Sequence, residues 1–162
     1  MRYILFFFFI SFNTYSQEVL NYNEVYSEKN LTYRIDNNMP FTGKIQKLKK
    51  KNHVIFEVDF ENGILFKNTT YYNGEEKIVA DEKFYNSERR IIKHVKYSSY
   101  KTYSWVVYFE PNGDKKLEEN YSNGKLVYKC EYLNNRKNGA SFSINKQGEL
   151  KECFWQDGKL IK

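Results

Sequence analysis

Phe60-Glu61-Asn62-Gly63, Tyr71-Tyr72-Asn73-Gly74, Tyr121-Ser122-Asn123-Gly124 and Trp155-Gln156-Asp157-Gly158 repeat one short pattern: an aromatic residue, any residue, Asn or Asp, then Gly. Phe109-Glu110-Pro111-Asn112-Gly113 is a stretched copy and Phe84-Tyr85-Asn86-Ser87 a decayed one. Asn-Gly and Asp-Gly tolerate the positive φ angles of a tight hairpin turn, and between alternating apolar segments they are the strongest short-range hairpin marks. Pro111 presets the φ of a type I turn, and Gly113 suits the left-handed position after it. Gly63 to Gly74 and Gly113 to Gly124 are each 11 residues apart, and Gly148 to Gly158 is 10, so each step holds one strand and one turn. The spacing predicts turns at Gly63, Gly74, Gly113, Gly124, Gly148 and Gly158, joined into a repeated antiparallel hairpin.

Between the turns, apolar residues recur with period two. Val54, Phe56, Val58 and Phe60 fall on one face, with Glu57 and Asp59 on the other. Tyr103, Trp105, Val107 and Phe109 alternate in the same way, as do Leu126, Tyr128, Cys130 and Tyr132. This predicts a sheet with one apolar, aromatic face and one wetter face. Ile91, Ile92 and Val95 suggest a further strand, and Ser98-Ser99-Tyr100-Lys101 a turn without glycine. Aromatics make up 19% of the chain while Ala80 and Ala140 are its alanines, a balance that favours pleated surfaces over helices. The expected fold is all-β: an elongated, twisted antiparallel meander of repeated hairpins over residues 40–162. An irregular segment, 17–39, precedes it, with Leu31 to Ile35 as a short lead-in strand. The length of 162 residues fits one domain with a core.

The first sixteen residues stand apart. Arg2, an apolar run from Tyr3 to Phe12, and small residues Thr14 and Ser16 ahead of Gln17 form the three-part pattern of a secretory signal peptide. The run is too short to cross ~30 Å of hydrocarbon as a helix. No Cys follows the cleavage position, so no lipid anchor is expected, and the location expected is periplasmic or secreted. Cleavage removes Arg2 and no acid, taking the net charge from +6 to +5. In an exported protein this balance points to solubility or an acidic partner rather than nucleic acid. The densest basic run, Lys44, Lys47, Lys49, Lys50 and Lys51, reads as a protected sheet edge. Cys130 and Cys153 would sit two strands apart, about 9.6 Å by the sheet spacing. That exceeds the reach of a disulfide, about 7 Å between Cα atoms, and free thiols are expected.

No residue cluster identifies a reaction. His53 and His94 have no partner at metal-ligand spacing, and the cysteines form no Cys-x-x-Cys pair. There is no phosphate-cradling glycine loop and no nucleophile elbow. Glu75-Glu76 and Glu118-Glu119 are adjacent acids, which point to opposite faces of a strand and read as solvated surface. Catalytic residues, metal ligands and cofactor-binding residues are therefore all expected to be absent. An aromatic face left open by a single-layer sheet is instead an interaction surface. Tyr103, Trp105, Tyr128, Tyr132 and Trp155 are the candidate contacts, because Tyr and Trp dominate interface energetics.

Three segments carry a family resemblance. Pro40-Phe41-Thr42-Gly43-Lys44-Ile45 resembles an opening segment. Tyr108 to Gly113, followed by Leu117 and Tyr121-Ser122-Asn123-Gly124-Lys125-Leu126, resembles one full repeat. Tyr132 to Gly139, Gln147-Gly148-Glu149-Leu150 and Asp157-Gly158-Lys159-Leu160 resemble the last. Together they resemble MORN-type repeat proteins in the divergent bacterial form labelled YwqK-like antitoxin, over about residues 40–162. The resemblance implies an elongated twisted antiparallel sheet that presents a face to partners. The expected function is a non-enzymatic, exported protein-interaction module with an unidentified protein partner, an envelope component or a toxin. Two narrower alternatives are an antitoxin or immunity protein and an envelope carbohydrate-binding protein.

Overall fold

A computed structural model describes residues 18–49 and 52–161. The expected signal peptide, Gln17, Lys50 and Lys51 lie outside the described residues. After β1 (Val19–Leu20) and a single 3-10 turn (Tyr22–Glu24), two short strands, β2 (Val25–Glu28) and β3 (Leu31–Arg34), pair into a hairpin. The chain then runs back and forth through β4 (Gly43–Lys49), β5 (His53–Glu61), β6 (Ile64–Tyr71), β7 (Val79–Tyr85) and β8 (Ile91–Tyr97). It continues through β9 (Tyr103–Phe109), β10 (Lys115–Ser122), β11 (Lys125–Leu133), β12 (Arg136–Ile144), β13 (Leu150–Gln156) and β14 (Lys159–Leu160). From β4 to β14 every strand pairs antiparallel with the next in sequence, and β1 adds in parallel beside β4. The result is one open sheet of 12 strands, about 50 Å from edge to edge at the usual strand spacing. The segment before residue 40, expected to be irregular, thus supplies a strand to the sheet and a hairpin of its own.

The turns show why the short pattern folds as it does. Asn62-Gly63, Asn123-Gly124 and Asp157-Gly158 hold both central residues at positive φ, between 48° and 82°, the two-residue turn whose twist matches that of the strands. Asn134-Asn135 makes the same turn at φ 49° and 62° with no glycine. Glu110 to Asp114 is the wider form: Glu110 N–H donates to Asp114 O, Gly113 N–H donates to Glu110 O, and Gly113 sits at φ 92°. Asn145 to Glu149 repeats it around Gly148, and Asn86 to Arg90 repeats it with Arg89 at φ 61° in place of glycine. Lys101, at φ 55°, closes the turn expected after Ser98. Gly74 differs. Its reversal is spread from Tyr72 to Ile78, closed by Tyr72 N–H to Ile78 O, and a loop that wide places no left-handed demand on Gly74.

A second device is periodic. An extra, bulged residue follows the left-handed turn residue by three positions in four hairpins: Phe66 after Gly63, Ile92 after Arg89, Lys116 after Gly113 and Val127 after Gly124. Each bulge adds local twist to the ribbon. Bulges also change faces. Ile55 and Val127 are the extra residues that carry Val54 and Leu126 onto the face opposite Phe56 and Tyr128. The face sets read from strict alternation lose those two members.

The N-terminal elements roof one end of one face. Phe41 is fully buried there with Ile45, Val58 and Phe60, and Leu20, Val25, Phe56 and Leu65 pack around them. The Phe41 and Phe60 rings meet with centroids 5.9 Å apart. Three backbone bonds fasten the roof: Thr32 N–H to Gly63 O, Gly63 N–H to Phe41 O and Phe41 N–H to Thr32 O, at 2.8 to 2.9 Å. A Cβ on Gly63 would lie 2.9 Å from Thr32 O, whereas one on Gly124 would meet nothing within 4 Å. Both residues sit at left-handed φ. Gly63→Ala should therefore cost about 3 kcal/mol in urea unfolding and Gly124→Ala about 1 kcal/mol, since only the first adds a backbone clash to left-handed strain. Equal losses would mean that the roof does not dock on the Asn62-Gly63 turn.

Candidate binding face

Cross-strand register decides which residues share a face. Phe60, Val58 and Phe56, under the roof, belong to the same face as Asp81, Lys83, His94, Lys96, Trp105, Val107, Glu118, Asn120, Tyr128, Cys130, Ser141 and Lys151. All five candidate contacts lie on this roofed face. Tyr103 and Trp105 come from β9, Tyr128 and Tyr132 from β11, and Trp155 from β13. The strands between them, β10 and β12, contribute Glu118, Asn120, Ser141 and Lys137, so aromatic and polar strands alternate. The roof ends at β6 and, through Arg89 to Thr32 Oγ1 at 3.5 Å, the β7–β8 turn. Among the described residues no second layer covers β9 to β13.

The aromatic groups are held in place by their neighbours. Trp105 donates its indole N–H to Glu118 at 2.8 Å, and the His94 ring meets it edge-on at 5.7 Å. Tyr132 donates to the same carboxylate at 2.9 Å, and Lys115 Nζ reaches it at 2.5 Å while lying 4.1 Å from the centre of the Tyr132 ring. Trp155 donates to Ser141 Oγ at 2.8 Å under Lys137, whose Nζ is 4.4 Å from its ring. Lys96 Nζ lies 5.5 Å from the Trp105 ring. Tyr103 is the most exposed of the five, at 42%. His94 also pairs with Asp81 at 2.5 Å. Burial raises the Glu118 pKa, but the bonds from Lys115, Trp105 and Tyr132 outweigh it and the net shift is down.

The opposite face corrects the expectation of a wetter side. Glu57 and Asp59 are 2% and 3% exposed. Glu57 Oε1 accepts from Gln46 at 2.6 Å and Lys77 at 2.5 Å, and Oε2 accepts from the Tyr71 hydroxyl. Lys44 pairs with Asp59 at 2.9 Å. Two strands along, Glu82 accepts from Tyr97 at 2.8 Å and pairs with Lys67 at 2.5 Å. Glu118 on the roofed face has the same arrangement. In each case the Tyr follows its Glu by 14 or 15 residues, from the middle of one strand to the next, and a Lys completes the group. Glu118 is half-buried, not solvated as its doublet with Glu119 suggested, and aromatics occupy both faces. The 14-residue Glu-to-Tyr spacing was the available mark, but alternation alone does not reveal it.

Cys130 and Cys153 are free, on β11 and β13, with Ser141 of β12 between them. Glu75 and Glu76 are exposed in the β6–β7 loop. Glu131 and Glu152 line a shallow pocket of about 460 Å³ with Phe142 and Phe154, on the face opposite Trp155. Among the described residues no three His, Cys, Asp or Glu side chains gather as a metal site, and no helix is long and apolar enough to cross a membrane. No protein-family model and no curated protein matches the chain. A solved structure with some likeness is that of the GtfA/B complex bound to UDP and GlcNAc, at 9% identity and a TM-score of 0.35 over 81% of this chain. The chain spans 23% of that one, and a likeness this weak carries no argument.

The buried carboxylates set an acid limit. The Glu57 pKa lies below its ordinary 4.5: burial raises it, but hydrogen bonds from Lys77, Tyr71 and Gln46 outweigh burial. A depressed folded pKa contributes stability that is complete above the unfolded value and lost as pH falls through the folded one. Glu57→Gln should cost about 2 kcal/mol at neutral pH and flatten the fall in stability below about pH 4.5. Denaturant midpoints measured from pH 7 to pH 2 check this; superimposable acid profiles would refute it.

Proposed function

We propose that this chain is an exported, non-enzymatic β-repeat module that binds another protein through the open part of its roofed face. The observation that carries the reading is a face the chain itself covers over β4 to β6 and leaves uncovered over β9 to β13, where Trp105, Tyr132 and Trp155 are fixed in position. Rigid aromatics held by internal hydrogen bonds lose little side-chain entropy on binding, which favours them as interface anchors. The MORN-type resemblance of residues 40–162 and the signal-like pattern of residues 1–16 support this reading, with the proposed partner in the periplasm or outside the cell. An antitoxin or immunity protein is the narrower form of it.

A carbohydrate-binding role has less support. Sugars stack on open ring faces, and here lysine ammonium groups lie over Trp105, Tyr132 and Trp155. Photo-crosslinking in the native host tests the proposal. A benzophenone amino acid at Tyr128 should trap a discrete protein adduct, and one at Tyr108 on the opposite face should trap none. No adduct from Tyr103, Tyr128 or Trp155 would count decisively against it.

A further inference from the structure

The two faces differ in charge over β8 to β13. On the roofed face the strand residues of this stretch hold one carboxylate, Glu118, which Lys115 already pairs. The same stretch holds Lys96, Lys137 and Lys151, and none of the three pairs with a described carboxylate. On the opposite face three cations, Lys93, Lys129 and Arg136, stand against three carboxylates, Glu119, Glu131 and Glu152. The excess of positive charge therefore lies on the face that also carries the fixed aromatics.

The cations are spaced along that face. Lys96 and Lys151 lie in one cross-strand row with Trp105 and Tyr128. They are five strands apart, about 24 Å at the usual spacing. Lys137 lies across the midline beside Trp155. The ammonium groups of Lys96 and Lys137 lie 5.5 Å and 4.4 Å from the ring centres of Trp105 and Trp155. A partner carboxylate arriving there meets an unpaired cation and an apolar surface together.

We infer that the face from β8 to β13 takes an acidic protein segment, whose carboxylates pair with Lys96, Lys137 and Lys151 and whose apolar side chains rest on Tyr103 and Tyr128, candidate contacts that no described lysine overlies. This deepens the interaction-module reading and rests on it, by naming the partner's chemistry. Single-stranded nucleic acid fits less well, because base stacking needs the ring faces that the lysines occupy. Unpaired lysines also steer an acidic partner to the face, so binding depends on salt.

The two tryptophans of the chain, Trp105 and Trp155, both belong to this face, so intrinsic fluorescence reports on it directly. The probe is a synthetic peptide alternating Glu and Leu, with a Lys–Leu peptide as its opposite. The Glu–Leu peptide should change the fluorescence saturably, and about tenfold more weakly at high salt. Replacing Lys96, Lys137 and Lys151 together by Glu should weaken binding at least about tenfold, and replacing them by Gln should weaken it less. Lys93→Glu with Lys129→Glu, on the opposite face, should change nothing. Iodide should quench the wild-type tryptophans more than caesium does, a readout that needs no variant. Equal binding of the Lys–Leu peptide, undiminished binding by both triple variants, or tighter binding of heparin or a single-stranded oligonucleotide would each overturn the inference. Cross-linking at Tyr128 that persists while the Glu–Leu peptide fails would remove the acidic partner and leave the interaction module standing.

Discussion

A single-layer sheet has no second layer to bury its middle. Beyond the β7–β8 turn this constraint governs the chain, because the N-terminal roof ends there. Each strand must close off its own midline with side chains from the same face. On one face Val95 and Val106 are 4% and 6% exposed, and on the other Val107 and Cys130 are 1% and 0%. Buried midline residues reach β9 on one face and β11 on the other.

Where the midline residue is an acid, the same cover becomes a bonding network. Glu57, Glu82 and Glu118 each gather a tyrosine hydroxyl from the next strand and a lysine ammonium. A buried carboxylate without such partners would cost several kcal/mol. With them it fixes the register of neighbouring strands, since a slip of one residue would carry every donor to the other face. The hydrogen-bond donors Trp105 and Tyr132, which hold Glu118, are also the rings that the binding face displays. Packing and presentation are one arrangement there.

Much of this was legible in the sequence. The aromatic–x–Asn/Asp–Gly pattern marked the reversals at Gly63, Gly124 and Gly158, and the alternation of Tyr103, Trp105, Val107 and Phe109 placed them on one face. The strand order implied by short turns kept Cys130 and Cys153 apart. What stayed hidden depends on bulges and on partners distant in sequence. The bulges at Ile55 and Val127 moved Val54 and Leu126 off their expected face. Glu57 was assigned to the wetter face because its donors, Gln46, Tyr71 and Lys77, lie 11 to 20 residues away. Lys96 and Lys137 could not be assigned to the aromatic face until cross-strand register was known.

Val106 and Val107 are adjacent on β9 and face opposite ways, so they test the burial of both faces within one strand. Val106→Asp and Val107→Asp should each lower stability by roughly 3 kcal/mol or more in equilibrium unfolding, because each buries an unpartnered carboxylate in the midline. If one of the two is tolerated as a surface substitution while the other unfolds the chain, the sheet has one dry face only, and the account of a ribbon packed along both is wrong.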